Sequence, residues 1–132
     1  MIRVPCRVIY GDTDTMGVVY YANYLRFFEV GRNEYMRARG LPYREVEARG
    51  FALPVTEARC RYLKPARYDD LLAVETRVTR VKGARVVFSY ALRNEAGDLL
   101  ADGHTEHAAL GPTGRPGRLP AEIVEILAPE EA

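Results

Sequence analysis

One long helix has to be the pivot of this fold. After Asn23 the side chains Tyr24, Phe27, Phe28, Gly31, Tyr35 and Ala38 recur at spacings of three and four, the period of a helix with a single apolar stripe. Arg26, Glu29, Arg32, Asn33 and Arg37 fall elsewhere around the same turns. Gly40 and then Pro42 supply the stop, since glycine adopts the left-handed cap and proline cannot continue the ladder. Gly31 is the odd member of the stripe. It costs about 1 kcal/mol in helix propensity against alanine, so its presence predicts a close approach between this helix and the surface it packs on.

The other long apolar stretches have a period of two. Ile2 to Tyr10 reads as a strand with Val4, Cys6, Val8 and Tyr10 on one face, and Pro5, which cannot donate to a ladder, puts it at an edge. Val55 to Leu63 is a second strand, Leu71 to Val81 a third, Ala84 to Arg93 a fourth and Leu99 to Leu110 a fifth. The short turns at Lys82-Gly83 and Asn94 to Asp98 join the last three into an antiparallel meander. A segment rich in glycine and proline, 111–120, leads to a short helix, Ala121 to Leu127, and the tail 129–132 reads as frayed. The whole, 1–132, is expected to be one α+β domain: a central helix against a curved antiparallel sheet of about five strands. Such a sheet covers only part of the helix. The small alternate face of the last strand (Ala101, Gly103, Thr105, His107, Ala109) suits a close subunit contact, so a two-fold oligomer is expected.

A net charge of +1 gives no global attraction to nucleic acid or anionic membrane. There is no signal-peptide pattern and no run of transmembrane length, so a cytoplasmic protein without membrane insertion is expected. Cys6 and Cys60 form no Cys-x-x-Cys pair and read as two small reduced side chains. No glycine-rich phosphate loop is present, which argues against a nucleotide cofactor, and Ser89 has no recognisable nucleophile elbow.

The chemistry is concentrated in Tyr10-Gly11-Asp12-Thr13-Asp14-Thr15-Met16-Gly17-Val18-Val19-Tyr20-Tyr21-Ala22-Asn23-Tyr24. Two carboxylates and a glycine stand on a tight connection just before a helix, whose first N–H groups are free and carry partial positive charge. A carboxylate beside such donors can attack a carbonyl or activate water. Either aspartate can also cap the turn, and for Asp12 structuring the turn is the preferred role. A metal on the Asp-x-Asp pair is disfavoured because too few oxygen ligands accompany it. His104 and His107 lie on opposite faces of one strand and cannot share a metal. Glu29 and Arg32, three apart, read as a helix ion pair or as positioning groups at a subunit interface.

Residues 10–29, from Tyr-Gly-Asp-Thr-Asp to Arg-Phe-Phe-Glu, resemble the signature of the hotdog-fold acyl-CoA thioesterases, in the branch of 4-hydroxybenzoyl-CoA thioesterase and the short-chain acyl-CoA thioesterases. Tyr62 to Leu72 and the Lys82-Gly83 turn agree in order and character. The resemblance implies a long helix wrapped by an antiparallel sheet, a dimer with a continuous sheet and active sites at its interface, and pairing of dimers into a homotetramer. It implies hydrolysis of a short-chain or aromatic acyl-CoA, with no cofactor beyond the coenzyme A of the substrate. Asp14 becomes the catalytic nucleophile or general base, the backbone N–H of Tyr21 the donor to the thioester oxygen, and Gly17 the residue that permits the turn. Some relatives carry histidine where this chain has Tyr21, so any role for an imidazole there is lost while the amide remains. Contacts to the CoA phosphates map to Lys82 and Arg115, with Arg85 and Arg118 nearby. Two alternatives stay open: a hydratase or dehydratase on acyl thioesters, which would want a histidine near the motif, and a non-catalytic acyl-CoA-binding or partner-binding module.

Overall fold

A computed structural model describes residues 1–130. Its strands are β1 (Ile2–Arg7), β2 (Val55–Tyr62), β3 (Leu71–Lys82), β4 (Arg85–Arg93) and β5 (Leu99–Ala108); its helices are α1 (Tyr24–Ala38), α2 (Tyr43–Ala48) and α3 (Ala121–Leu127). All strand pairings are antiparallel, and the sheet runs β1-β3-β4-β5-β2. The expected meander is therefore β3-β4-β5, with β1 and β2 as edges. Pro5 sits opposite Ala73 on the β1 edge. Cys6 and Cys60 lie on these opposite edges as free, half-buried thiols.

The apolar stripe of α1 packs into the curve of the sheet. Tyr24, Phe27, Phe28, Gly31, Tyr35 and Met36 are buried; Ala38, expected in the stripe, is exposed, and Met36 fills the interior instead. Gly31 shows why it is glycine. A Cβ there would lie 2.3 Å from Thr76 Oγ1 and 2.6 Å from Val74 Cγ1, so any larger residue would push the helix off β3. The small face of β5 is used in the same way and not, as expected, for a subunit contact. Ala101, Thr105, His107 and Ala109 are buried inside the chain, and a Cβ at Gly103 would meet Arg59 O at 2.0 Å and Phe28 Cε2 at 3.0 Å.

Three expectations are corrected at the ends of elements. Tyr10 leaves the first strand for a short 3-10 turn (Tyr10–Asp12) and is exposed. The tail is held at Glu130, whose N–H donates to Val78 O at 2.7 Å and whose carboxylate pairs with the N-terminal ammonium at 2.6 Å; the remainder, 131–132, lies outside the described residues. The β5 strand ends at Ala108, two residues short of Leu110. Among the described residues no helix is long and apolar enough to cross a membrane.

Candidate active site

The two aspartates of the motif have separate environments. Asp12 turns inward. Its Oδ2 accepts the Ile9 N–H at 2.9 Å, its Oδ1 pairs with Arg26, and its carbonyl accepts the Tyr20 N–H and the Asn23 side-chain amide, each at 2.9 Å. It closes the connection between β1 and α1, the structuring role expected of it. Asp14 is half-buried and turns outward. Its Oδ1 accepts the Met16 N–H at 2.9 Å, and no described residue donates to its Oδ2.

Asp14 is held in place by a small hairpin. Its N–H donates to Val18 O and its carbonyl accepts the Gly17 N–H, both at 3.0 Å. Gly17 has φ +80, a left-handed conformation that costs other residues roughly 1–2 kcal/mol. Val18 and Val19 then bridge to Arg67 and Ala66, which seats the hairpin on the segment leading into β3. A 3-10 turn, Tyr21–Asn23, follows and runs directly into α1. Asn23 donates to Tyr20 O, while the N–H groups of Tyr21 and Ala22 have no acceptor among the described residues. Their free ends carry the positive end of the helix dipole. The Tyr20 phenol is raised above 10, chiefly by its contact with the Tyr21 hydroxyl and in smaller part by the nearby Asp14 charge. Asp14, Gly17 and Tyr21 thus lie on one loop between β1 and α1.

A cavity of about 290 Å³ opens beside Tyr21, walled by Val19, Tyr24, Tyr62, Leu63 and Lys64. Tyr62 donates its hydroxyl to Tyr21 O at 3.0 Å. Partial burial, aided by the Cys60 thiol, pushes that phenol up to about 12, so it remains a neutral donor that anchors the Tyr21 carbonyl, on the peptide that follows the free Tyr21 N–H. Tyr62 and Lys64 were not singled out from the sequence as site residues; only folding brings the end of β2 to the start of α1.

The four basic residues expected at the CoA phosphates gather elsewhere. Lys82 and Arg85 flank the β3–β4 turn. The 111–118 loop is tied to it through Ala109, whose N–H donates to Ala84 O at 2.6 Å and whose carbonyl accepts the Gly117 N–H at 3.0 Å. Arg115 and Arg118 are exposed on this loop, and Arg85 is engaged by Glu106. The cluster lies at the Lys82 end of β3 and the Asp14 hairpin at the Leu71 end. Twelve residues of strand separate them, roughly 35–40 Å at a rise of about 3.3 Å per residue. Within one chain these groups do not form a single site.

A second polar feature lies beneath α1. Arg32 Nη1 donates to Tyr90 Oη at 3.2 Å, Tyr90 Oη lies 2.6 Å from Thr105 Oγ1, Thr105 Oγ1 lies 2.7 Å from His107 Nε2, and His107 Nδ1 lies 2.8 Å from Leu53 O. A carbonyl only accepts, so Nδ1 carries the proton and Nε2 receives one from Thr105. Every bond in the chain then donates in one direction, from the guanidinium to Leu53 O. His104, on the opposite face as expected, meets Glu57 at 3.3 Å. With Glu106 these two form the one cluster of metal-type ligands among the described residues, and Glu106 is committed to Arg85.

A helix cradled by an antiparallel sheet, with an aspartate hairpin at its start, is the arrangement that the resemblance implied. The family model of the thioesterase-like superfamily matches residues 8–127. The chain belongs to that superfamily. The acyl-CoA thioester hydrolase YbgC of Escherichia coli is 34% identical over 125 residues, 94% of this chain and 93% of that protein. A 1,4-dihydroxy-2-naphthoyl-CoA hydrolase of Thermosynechococcus vestitus is 37% identical over 131 residues, 95% and 88% of the two chains. The solved DHNA-CoA thioesterase of Staphylococcus aureus superposes with a TM-score of 0.88 at 33% identity, covering 94% of this chain and 86% of that one. The α+β hotdog architecture read from the sequence is the one observed.

Proposed function

We propose that this acyl-CoA thioesterase hydrolyses short-chain or aromatic acyl-CoA with Asp14 as its working carboxylate. The observation that carries the assignment is the pairing of a half-buried carboxylate, one oxygen of which takes no hydrogen bond, with the free amide of Tyr21 on the same short loop. The thioester carbonyl accepts the Tyr21 N–H. Asp14 takes a proton from water, whose oxygen adds to the carbonyl carbon; alternatively Asp14 adds directly and water then cleaves the mixed anhydride. Negative charge collects on the carbonyl oxygen beside the amide, an arrangement in which losing one donor typically costs about 10²–10³ in rate. The C–S bond breaks and the CoA sulfur leaves, taking the proton. The products are the free acid and CoA, and the balance needs no metal and no further cofactor.

The free edge of β2 and the distance between the Asp14 hairpin and the basic cluster support a two-fold assembly. A second chain placed antiparallel along β2 would bring its Lys82, Arg85, Arg115 and Arg118 towards the first chain's hairpin, so that the CoA phosphates are held by the partner. Pairing of such dimers into a tetramer completes the reading. The test is release of free thiol from short, long and aryl acyl-CoA substrates by the parent and by Asp14→Asn. Rapid release by the parent from short or aryl substrates, lost in the variant, is expected. CoA binding without thiol release from any substrate would instead identify a non-catalytic binding module, and undiminished turnover by Asp14→Asn would remove the aspartate from the mechanism.

A further inference from the structure

The face of the sheet turned away from α1 carries a polar groove of its own. A cavity of about 470 Å³ is sunk into it, walled by Arg59, Arg77, Ser89 and His104 together with Arg61 and Arg93. Strand alternation sends Val78, Phe88 and Tyr90 to the core and leaves these groups on the outer surface. The register explains why they meet. Arg77 stands opposite Ser89, Ser89 opposite His104, and His104 opposite Arg59. One row across β3, β4, β5 and β2 therefore has a guanidinium at each end, with a hydroxyl and an imidazole between them. Ser89 and Ala91 are small and form the floor. Thr79 Oγ1 lies 3.1 Å from Ser89 Oγ and adds a second hydroxyl there.

The carboxylates around this row are taken. Glu75 is held by Arg3 and Arg93, Asp102 by Arg61 and Glu106 by Arg85, while Glu57 meets His104 and Glu130 pairs with the N-terminal ammonium. Arg59 and Arg77 pair with no carboxylate among the described residues, and Arg77 is half-buried. A guanidinium drawn partly out of water with its donors unfilled lowers stability, an effect that a bound anion offsets. Arg59, Arg61, Arg77 and Arg93 face only Glu75 and Asp102 across the cavity, so its field favours negative charge.

The row spans three strand spacings of about 4.8 Å, roughly 14 Å between the Arg59 and Arg77 backbones. The cavity falls within the usual range of small-molecule sites, about 300–1,000 Å³. Arginines reaching in from both ends leave room for more than a single phosphate. A carboxylate is planar and one guanidinium fills it, whereas a diphosphate presents oxygens in several directions and takes donors from two guanidiniums and the hydroxyls between them.

We propose that this groove binds a diphosphate-bearing anion, clamped by Arg59 and Arg77 over a floor that includes Ser89. It shares no residue with the Asp14 hairpin or with the basic cluster of Lys82, Arg85, Arg115 and Arg118, and it stands whether or not Asp14 is the working carboxylate.

The experiment follows the amide NMR spectrum of the intact protein during titration with inorganic pyrophosphate, and separately with ADP and with free CoA. Saturable shifts at Ser89, Gly103 and His104 are expected with pyrophosphate. Their Kd rises at least tenfold in Arg77→Gln and in Arg59→Gln, and is unchanged in the double variant Lys82→Gln/Arg115→Gln. Arg77→Lys keeps part of the affinity. Arg59 is exposed, so Arg59→Gln serves where Arg77→Gln does not fold. The same shifts at lower concentrations of ADP or CoA would name a nucleotide as the carrier of the diphosphate. Absence of shifts at these residues in millimolar pyrophosphate would overturn the site, as would binding lost only in the Lys82→Gln/Arg115→Gln variant. A fall in oligomeric state in Arg59→Gln, with no pyrophosphate shifts in the parent, would also overturn it and assign the face to a subunit contact. None of these readouts uses thiol release, so failure here leaves the thioesterase reading in place.

Discussion

Asp12 has a side chain 4% exposed, closes the Ile9 turn and holds Arg26, whereas Asp14, two residues later, makes one side-chain hydrogen bond to the turn that carries it. The same functional group does opposite work because of what surrounds it. A carboxylate whose lone pairs are filled by the fold is a strut, and removing it leaves donors stranded. A carboxylate with an unfilled oxygen, on a loop held mainly by its backbone, has lone pairs left for something else. The contrast predicts that stability and turnover separate cleanly between two neighbouring positions.

The largest effect is expected at Asp14. Asp14→Asn should lower kcat by at least about 10³, equivalent to roughly 4 kcal/mol, with the melting temperature unmoved; a fall in stability matching that at Asp12 would break the contrast. Asp12→Ala should do the reverse and cost about 2–3 kcal/mol in urea unfolding, because the Ile9 N–H loses its acceptor; the Arg26 pair adds little, being part-exposed. Gly17→Ala should cost about 1–2 kcal/mol for the left-handed conformation, with nothing for it to strike, and should lower kcat more than its stability loss explains, because the turn carrying Asp14 must shift. Gly11→Ala is the control. No atom lies within 4 Å of its added Cβ and its backbone is not left-handed, so a change within about 0.5 kcal/mol is expected, and kcat should not move.

Much of this molecule can be read from local periodicity, and the misreadings are where periodicity has no information. The stripe on α1, the meander and the limits of α3 follow from side chains a few residues apart. Tyr10 continues the alternation of β1 and so reads as strand, but the buried demands of Asp12 turn the chain before it. Ala38 and Met36 sit near the end of the same helix, and only the placement of α2 and α3 decides which one is covered. His107 alternates with small residues just as a surface contact would; its place in the interior depends on Leu53, 54 residues away. The candidate site divides in the same way. Asp14, Gly17 and the Tyr21 amide lie within one short stretch and are legible as a motif. Tyr62, Lys64 and the Arg32 anchor are positioned by strands paired across the chain, and spacing alone does not place them.

The direction of the hydrogen bonds beneath α1 makes the interior responsive to acid. Burial, with Arg32 acting in the same sense, holds the His107 imidazole below its ordinary value of 6.5. As the medium drops beneath 6.5 the unfolded chain takes up this proton before the folded one does, so the contribution of His107 to stability is lost from there downward to its folded value. A second proton forced onto the folded ring would make Nε2 a donor, swing the Thr105 and Tyr90 hydroxyls around in succession, and aim the phenolic hydrogen at a cation. Acidification far enough to charge the folded ring would then loosen a guanidinium three hydrogen bonds away from the group that titrates.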